Sequence, residues 1–228
     1  MYVKVFKRIL DFVFSFLILI AISPTLLVLT VLGWLFMRGN PFFLQERAGQ
    51  ISRRTGTERI FRMVKFRSMT NQKGPDGDLL PDADRLTGYG RFLRSTSLDE
   101  LPELINILMG QMSFVGPRPL LPEYLPRYSP EQRRRHLVPP GLTGWAQIHG
   151  RNESSWEDRF EKDLWYVHNQ SFLLDVQIVL KTIGVVLRSE GISSDTAVTK
   201  EDFLGTGTHI QPDGEPEHIS DNHNSQSL

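Results

Sequence analysis

Between Phe12 and Met37 the chain carries no charged residue. A helix needs about 20 apolar residues to cross a bilayer, so this run predicts a membrane-associated helix. A secretory signal has a shorter apolar core and a small-residue cleavage site, which argues against that reading. Ser23-Pro24 interrupts the middle of the run, and proline kinks or breaks a helix because it lacks an N–H and crowds the preceding turn. Both flanks are basic: Lys4, Lys7 and Arg8 before, then Arg38, Arg47, Arg53 and Arg54 after. Positive flanks favour the cytoplasmic side. A re-entrant hairpin, broken at Ser23 and Pro24 and leaving by the leaflet it entered, satisfies this pattern better than one crossing. A crossing and a buried core helix remain open on the pattern alone. Asp11 is spaced to pair with Lys7 or Arg8 on the helix.

After Gly39-Asn40-Pro41 the pattern changes. Phe42–Leu44 reads as a short strand, 50–57 as a polar turn, and Ile60–Met69 as a second strand. Period-2 alternation puts Phe61, Met63, Lys65 and Arg67 on one face, with Val64 and Phe66 on the other. Lys65 and Arg67 could grip a phosphate or be two solvated strand cations. Residues 71–84 form a turn-rich loop. Leu101, Leu104, Ile105 and Leu108 make a helical apolar stripe. Arg133-Arg134-Arg135-His136 falls on a short helix and suits an anionic membrane surface or open solvent. Pro139–Trp145 is a rigid loop, whose aromatic and polar groups could hold a nucleotide base, before a strand candidate at 146–148. Trp156–Tyr166 has helical spacing; Trp165 and Tyr166 fit an interfacial belt or a core. Phe172–Leu187 is a strongly apolar helix with Val176, Leu180, Ile183 and Leu187 on one stripe, packed under the membrane segment or lying in the interface. Gly191 marks its expected end.

Composition narrows this picture only a little. A chain of 228 residues suits one domain with a sizeable core. Lys+Arg and Asp+Glu are both 26, so no charge excess points to nucleic acid, and none is expected as a partner. The absence of cysteine excludes disulfides and a thiol nucleophile.

The chemistry concentrates between Arg94 and Pro119. Ser97 and Glu100 match a capping box, and acids in a first helical turn complement the helix dipole. Pro102 disturbs that reading, since it would sit inside the helix it follows. A start nearer Leu101 leaves Asp99 and Glu100 on an exposed turn. There a carboxylate can attack phosphorus to give an acyl-phosphate. Mg²⁺ with one or two carboxylates and phosphate oxygens could steady the leaving group. Arg94 lies near, and Arg118, between Pro117 and Pro119, can make a bidentate phosphate contact.

Several motifs together resemble the bacterial sugar transferase family, the small monotopic phosphoglycosyl transferases. They are KVFKRILDF at 4–12, Ser23-Pro24, KFRSM at 65–69, RSTSLDELPEL at 94–104, MSFVGPRPLLPEY at 112–124 and PGLTGWAQIHGRN at 140–152. The resemblance runs from Met1 to about Gly191, and the start and central motifs are most similar to the diacetylbacillosamine-phosphate transferases. It implies an α-rich fold with minor β structure: a re-entrant membrane hairpin at 1–38, a cytoplasmic catalytic domain with amphipathic interfacial helices at 39–205, and a polar tail at 206–228 expected to be disordered. It implies transfer of a sugar 1-phosphate from a UDP-sugar to undecaprenyl phosphate, with release of UMP, at the cytoplasmic face of the bacterial inner membrane. Asp99 would be nucleophile and Mg²⁺ ligand, and Glu100 its acid/base partner. Lys65, Arg67, Arg94 and Arg118 would bind phosphate or substrate. Membrane lipids and downstream glycosyltransferases are further potential partners. Two rival functions remain: a UDP-releasing glycosyltransferase acting on a lipid-linked sugar, and a non-catalytic scaffold of a glycan assembly.

Overall fold

The computed structural model describes residues 2–37, 39–150, 155–187, 203–205, 208–210 and 216–218. The chain starts with a short π-helical turn, Tyr2–Phe6, that runs into α1, Lys7–Met37. α1 is one continuous helical element through Pro24, not two helices separated by a break. Its mean hydropathy of 2.6 makes it long and apolar enough to cross a membrane.

The local chemistry explains how the helix passes a proline. Pro24 has no N–H for the Ile20 carbonyl, four residues back. The Ser23 hydroxyl donates to that carbonyl instead, at 2.8 Å. The Ser-Pro pair therefore removes a backbone bond and supplies a substitute, which matters where no water can do so.

One stripe of α1 is buried along its whole length: Lys7, Asp11 and Ser15, then Leu29, Gly33 and Met37. Leu19, Ile22 and Leu26 between them pack partly buried against the same domain. The polar residues near the start are anchors. Lys7 pairs with Asp175 at 2.6 Å, and Tyr2 donates to the same carboxylate. Arg8 donates to the Ile107 and Leu108 carbonyls, and Asp11 accepts from the Phe114 N–H. Asp11 thus hydrogen-bonds the domain rather than Lys7 or Arg8, because tertiary partners displaced the local ones. At the far end Tyr89 donates to the Leu29 carbonyl and stacks on Phe36. A Cβ on Gly33 would come within 2.8 Å of the Pro41 Cβ, so glycine permits this close approach. Both ends of α1 consequently rest on one domain.

That domain is built on a twisted ribbon. β1, Phe42–Ile51, pairs antiparallel with β2, Glu58–Phe66, in the register Phe43↔Lys65, Gln45↔Met63 and Arg47↔Phe61. β1 is longer than the expected Phe42–Leu44, and β2 stops before Arg67. α2, Asp82–Arg85, lies in the expected loop, and α3, Gly88–Ser95, follows. α4, Glu103–Leu108, packs beneath α1 and β2. Phe61, Met63, Leu104, Ile107 and Met112 form the core there. Ile105 is 39 % exposed, so the buried face of α4 is not the expected leucine stripe. It includes Asn106, fully buried, which clamps the ribbon: Oδ1 accepts from Val64 N–H, and Nδ2 donates to the Arg62 carbonyl and to Gln111 Oε1.

β3, Ser113–Val115, pairs parallel with β4, Gly141–Thr143. α5, Pro130–Arg133, carries a capping box at Ser129 and continues as a 3₁₀ turn, Arg134–Leu137. The basic cluster there divides: Arg133 and Arg134 are exposed, while Arg135 and His136 are buried. Arg133 pairs with Glu58, Arg134 with Glu131, and the buried Arg135 with Asp163. The expected strand at 146–148 is helical, α6, Trp145–Ile148, because the strand partner of β3 is the glycine segment before it. α7, Trp156–Asn169, and α8, Phe172–Leu187, close the domain. Leu174, Asp175 and Ile178 face inward, while Val176, Leu180 and Ile183 of the expected stripe point outward at 39–63 % exposure. Trp165 is likewise exposed and Tyr166 buried. Gly191 lies outside the described residues. Of the tail at 206–228, the described part is an antiparallel pair of β5, Thr208–Ile210, and β6, Pro216–His218.

Replacing Asn106 by alanine leaves two backbone groups and Gln111 without partners. Thermal unfolding in detergent is expected to report a loss of about 3 kcal/mol, given roughly 1–3 kcal/mol per unpaired buried polar group.

Candidate active site

Ser97 opens the site. It adopts the left-handed conformation, φ 55°, the one described non-glycine residue with positive φ, and its side chain makes no cap bond. The capping role expected of Ser97 is therefore absent. A non-glycine residue held there costs of order 1 kcal/mol or more and persists only where its surroundings enforce it. The reversal sets Leu98–Glu100 as a 3₁₀ turn, and α4 begins only after Pro102. Proline is tolerated there because a helix start has no partner for that N–H anyway.

Glu100 is the centre of an ion cluster. Its Oε1 accepts from Lys65 Nζ at 2.7 Å and from Arg118 Nη2 at 2.9 Å. Glu103 Oε1 lies 3.0 Å from the same Lys65 nitrogen, an ion-pair distance without hydrogen-bond geometry. Burial alone would raise the Glu100 carboxyl, but Lys65 and Arg118 hold it well below the usual carboxylate range. Burial raises Glu103 to about 7; Lys65 opposes this, and the neighbouring Glu100 charge adds to it. Burial opposes charge on Lys65, yet Glu100, Glu103 and Asp99 together outweigh it and keep the ammonium protonated. Arg118 is held protonated above all by Glu100.

Asp99 behaves differently. Among the described residues its carboxylate has no hydrogen-bond or ion-pair partner. Burial, then the Glu100 charge, raises it to about 6, against the pull of Lys65, Arg94 and Arg118. A carboxylate with free lone pairs, facing a cavity and ringed by cations at longer range, is available to an electrophile or a cation.

That cavity measures about 1,110 Å³ and brings together every site residue the sequence proposed outside the membrane segment: Lys65, Arg67, Arg94, Asp99, Glu100 and Arg118. Arg94 Nε donates to Ser68 Oγ, and Arg67 carries a buried Nε with no partner. Ser23 and Pro24 lie elsewhere, exposed on α1. The sequence missed Glu103 and Arg47. Glu103 follows Asp99 by four residues, the spacing that shares a helical face, so the signal was present. Arg47 shares the ribbon face of Lys65 only through the β1–β2 register, which no local pattern supplies. It lines the cavity, with burial and the Arg118 charge lowering it to about 10. Charge counting had placed it on a membrane flank.

The loop carrying Arg118 is fixed from several sides. A Cβ on Gly116 would meet the Pro139 carbonyl at 2.3 Å, so β3 and the 139–141 segment pack as closely as glycine permits. Tyr166 donates to the Val115 carbonyl and to Asp175. Arg135 pairs with Asp163 and donates to the Arg118 carbonyl at 2.7 Å. Trp145 is outside the cavity wall and stacks on Trp165, so of its loop only Leu142, Thr143, Ala146 and Gln147 face the site.

The cavity lining is of two kinds. Ile18 of α1, Leu101, Phe114, Val179 and Ile183 supply apolar surface. Tyr124, Trp156 and Phe160, whose rings pack together, with Arg159 over the Trp156 ring and with Arg47 and Arg118, supply an aromatic and cationic part.

Residues 2–189 match the bacterial sugar transferase profile. This chain belongs to the bacterial sugar transferase family. It is 46 % identical over 203 residues to the uncharacterized sugar transferase EpsL of Bacillus subtilis (strain 168), covering 89 % of this chain and 98 % of that protein. It is 41 % identical over 189 residues to the UDP-glucose:undecaprenyl-phosphate glucose-1-phosphate transferase of Klebsiella pneumoniae, covering 78 % of this chain and 39 % of that one. It is 36 % identical over 205 residues to the undecaprenyl-phosphate galactose phosphotransferase of Salmonella typhimurium (strain LT2), covering 81 % and 41 % respectively. The chain thus spans about two fifths of the latter two relatives and nearly all of the first.

Carbodiimide reacts with protonated carboxyls, so it reports the Asp99 titration directly. In metal-free protein, modification of Asp99 is expected to fall as pH rises through about 6. A midpoint at the ordinary aspartate value of about 4 would contradict the described burial.

Proposed function

We propose that this protein transfers a sugar 1-phosphate from a UDP-sugar to undecaprenyl phosphate and releases UMP. The observation that carries the reading is the Asp99 carboxylate, without a partner among the described residues, beside a Lys65–Glu100–Arg118 cluster, within one cavity whose lining combines cationic and aromatic with apolar side chains. The Klebsiella and Salmonella relatives are named for undecaprenyl-phosphate sugar-phosphate transfer, which supports the same substrates here.

An Asp99 oxygen attacks the β-phosphorus of the donor. The bond from that phosphorus to the α–β bridging oxygen breaks, and UMP leaves with the electron pair. The product is an aspartyl phosphosugar, an acyl-phosphate. An oxygen of undecaprenyl phosphate then attacks the same phosphorus, and the Asp99 carboxylate leaves. Lys65, Arg94 and Arg118, with Arg47 and Arg67, neutralise the phosphates. As Lys65 and Arg118 turn toward phosphate, Glu100 loses the partners that hold it acidic. It then becomes basic enough to take a proton from the incoming lipid phosphate. Asp99 fits an Mg²⁺ ion held by one carboxylate, waters and donor oxygens, and the ion would steady the departing nucleotide. The donor occupies the aromatic and cationic part, where a base has rings to stack on. The lipid enters beside Ile18 of the membrane helix.

The seating of α1 supports a topology. A helix with both ends seated on one domain does not carry one end away across a bilayer, and its exposed side is apolar except at Arg8, Ser23 and Thr25. We place it re-entrant, in the cytoplasmic leaflet of the bacterial inner membrane. The exposed apolar side chains of α8 lie in the interface. A diacetamido donor such as UDP-diacetylbacillosamine is one member of the sugar panel worth testing, beside the glucose and galactose donors of the relatives.

With Mg²⁺, undecaprenyl phosphate and a UDP-sugar panel, UMP release is expected for at least one donor. Release of UDP instead would favour a glycosyltransferase. Asp99→Asn should lower turnover by about six orders of magnitude, the scale seen when a covalent nucleophile is removed. Without lipid, donor exposure should leave a phosphosugar adduct on Asp99, read by mass spectrometry. Cysteines replacing Val3 and Asn40 should both react with impermeant thiol reagents only from the cytoplasmic side; labelling of one from outside would mean a crossing.

A further inference from the structure

Phe203 lies beyond residue 189, where the family match ends. It is nevertheless 1 % exposed. Its ring meets Phe160 edge-on at 5.0 Å between centroids, Tyr124 edge-on at 5.9 Å, Tyr128 stacked at 5.6 Å and Trp156 tilted at 5.6 Å. Arg127 Nη1 donates to the Phe203 carbonyl at 2.5 Å, so the backbone is fixed as well as the ring. Phe203 is not itself part of the cavity wall, but Tyr124, Trp156 and Phe160 are. It therefore sits behind that wall and touches each of its three rings.

Aromatic rings packed edge-to-face hold one another in specific orientations. Taking out the central ring leaves a void that neighbours fill by moving, since packed interiors do not tolerate cavities without cost. The neighbours that would move are the wall of the aromatic and cationic part. The same cluster reaches the catalytic loop, because Arg135 lies over the Phe160 ring and donates to the Arg118 carbonyl.

We propose that Phe203 is a positioning residue for the donor part of the cavity, so that a residue beyond the family-matched span serves the active site. It holds Tyr124, Trp156 and Phe160 in the arrangement that receives the nucleoside. This rests on the assignment of the donor to that part.

The test uses the full chain in detergent, with separate KM values for UDP-sugar and undecaprenyl phosphate and with Trp156→Ala as reference. Phe203→Ala is expected to raise the donor KM about tenfold and leave the lipid KM within about twofold, as misplaced substrate contacts do. Phe203→Leu, which refills most of the volume, should recover most of the loss, and it carries the test if the alanine variant fails to fold. Phe203 and Trp156 variants raising the donor KM together supports both the proposal and the donor assignment. Both raising the lipid KM instead overturns the donor assignment while keeping the coupling of Phe203 to the wall. The proposal itself is overturned if the two variants move different constants. It is equally overturned if folded Phe203 variants keep both KM values, or only lower kcat.

Discussion

The Glu100 carboxylate binds two cations that come from distant parts of the chain, Lys65 on β2 and Arg118 on the loop after β3. Removing such charges from water is costly unless each finds a partner. The cost is met only when ribbon, turn and loop meet at one point, so the cluster fixes their mutual position. It also leaves Asp99, the adjacent residue, with no partner among the described residues. The two neighbours thus divide the work: one carboxylate is held ionised by cations, and the other waits beside it with its oxygens free. A structure selected for stability alone would more readily fill such a cluster with apolar side chains. Its persistence beside a left-handed Ser97 fits a site where strain and charge serve chemistry.

The membrane helix obeys the same accounting at its own polar groups. Lys7, Arg8 and Asp11 each find partners in the domain, and Ser23 supplies the bond that Pro24 withholds. These contacts fasten an apolar helix lengthwise onto the catalytic domain. As a result Ile18, on a helix long and apolar enough to cross a membrane, also forms part of the cavity that holds Asp99.

Support for that cavity comes from layers outside it. Asp175 joins Lys7, Tyr2 and Tyr166, and Tyr166 reaches the Val115 carbonyl just before the Arg118 loop. Asp163 and Arg135 hold the carbonyl of Arg118 itself. The start of α1 and α8 are therefore linked through hydrogen bonds to the position of the Arg118 guanidinium. The geometry of the candidate site depends on how α1 is seated.

The sequence alone determined what local chemistry can express. The uncharged run from Phe12 to Met37 could only be a lipid-facing helix or a core helix, and it is one helix with an apolar outer side. Asp99-Glu100 before Pro102, and the proline-bracketed Arg118, were legible because proline constrains its neighbours whatever surrounds it. Alternation in Ile60–Phe66 identified Lys65. What stayed hidden needed a partner from elsewhere in the chain. Arg47 joins the site through the β1–β2 register, and Arg133 to Arg135 find acids that no periodicity connects to them. Ser97 lost its cap role to a backbone reversal. Which side of α8 is covered stayed open, since both sides are apolar and only the neighbours decide it. A sequence states which groups can pair at short range; long-range pairing of charges and rings depends on which surfaces the fold brings together.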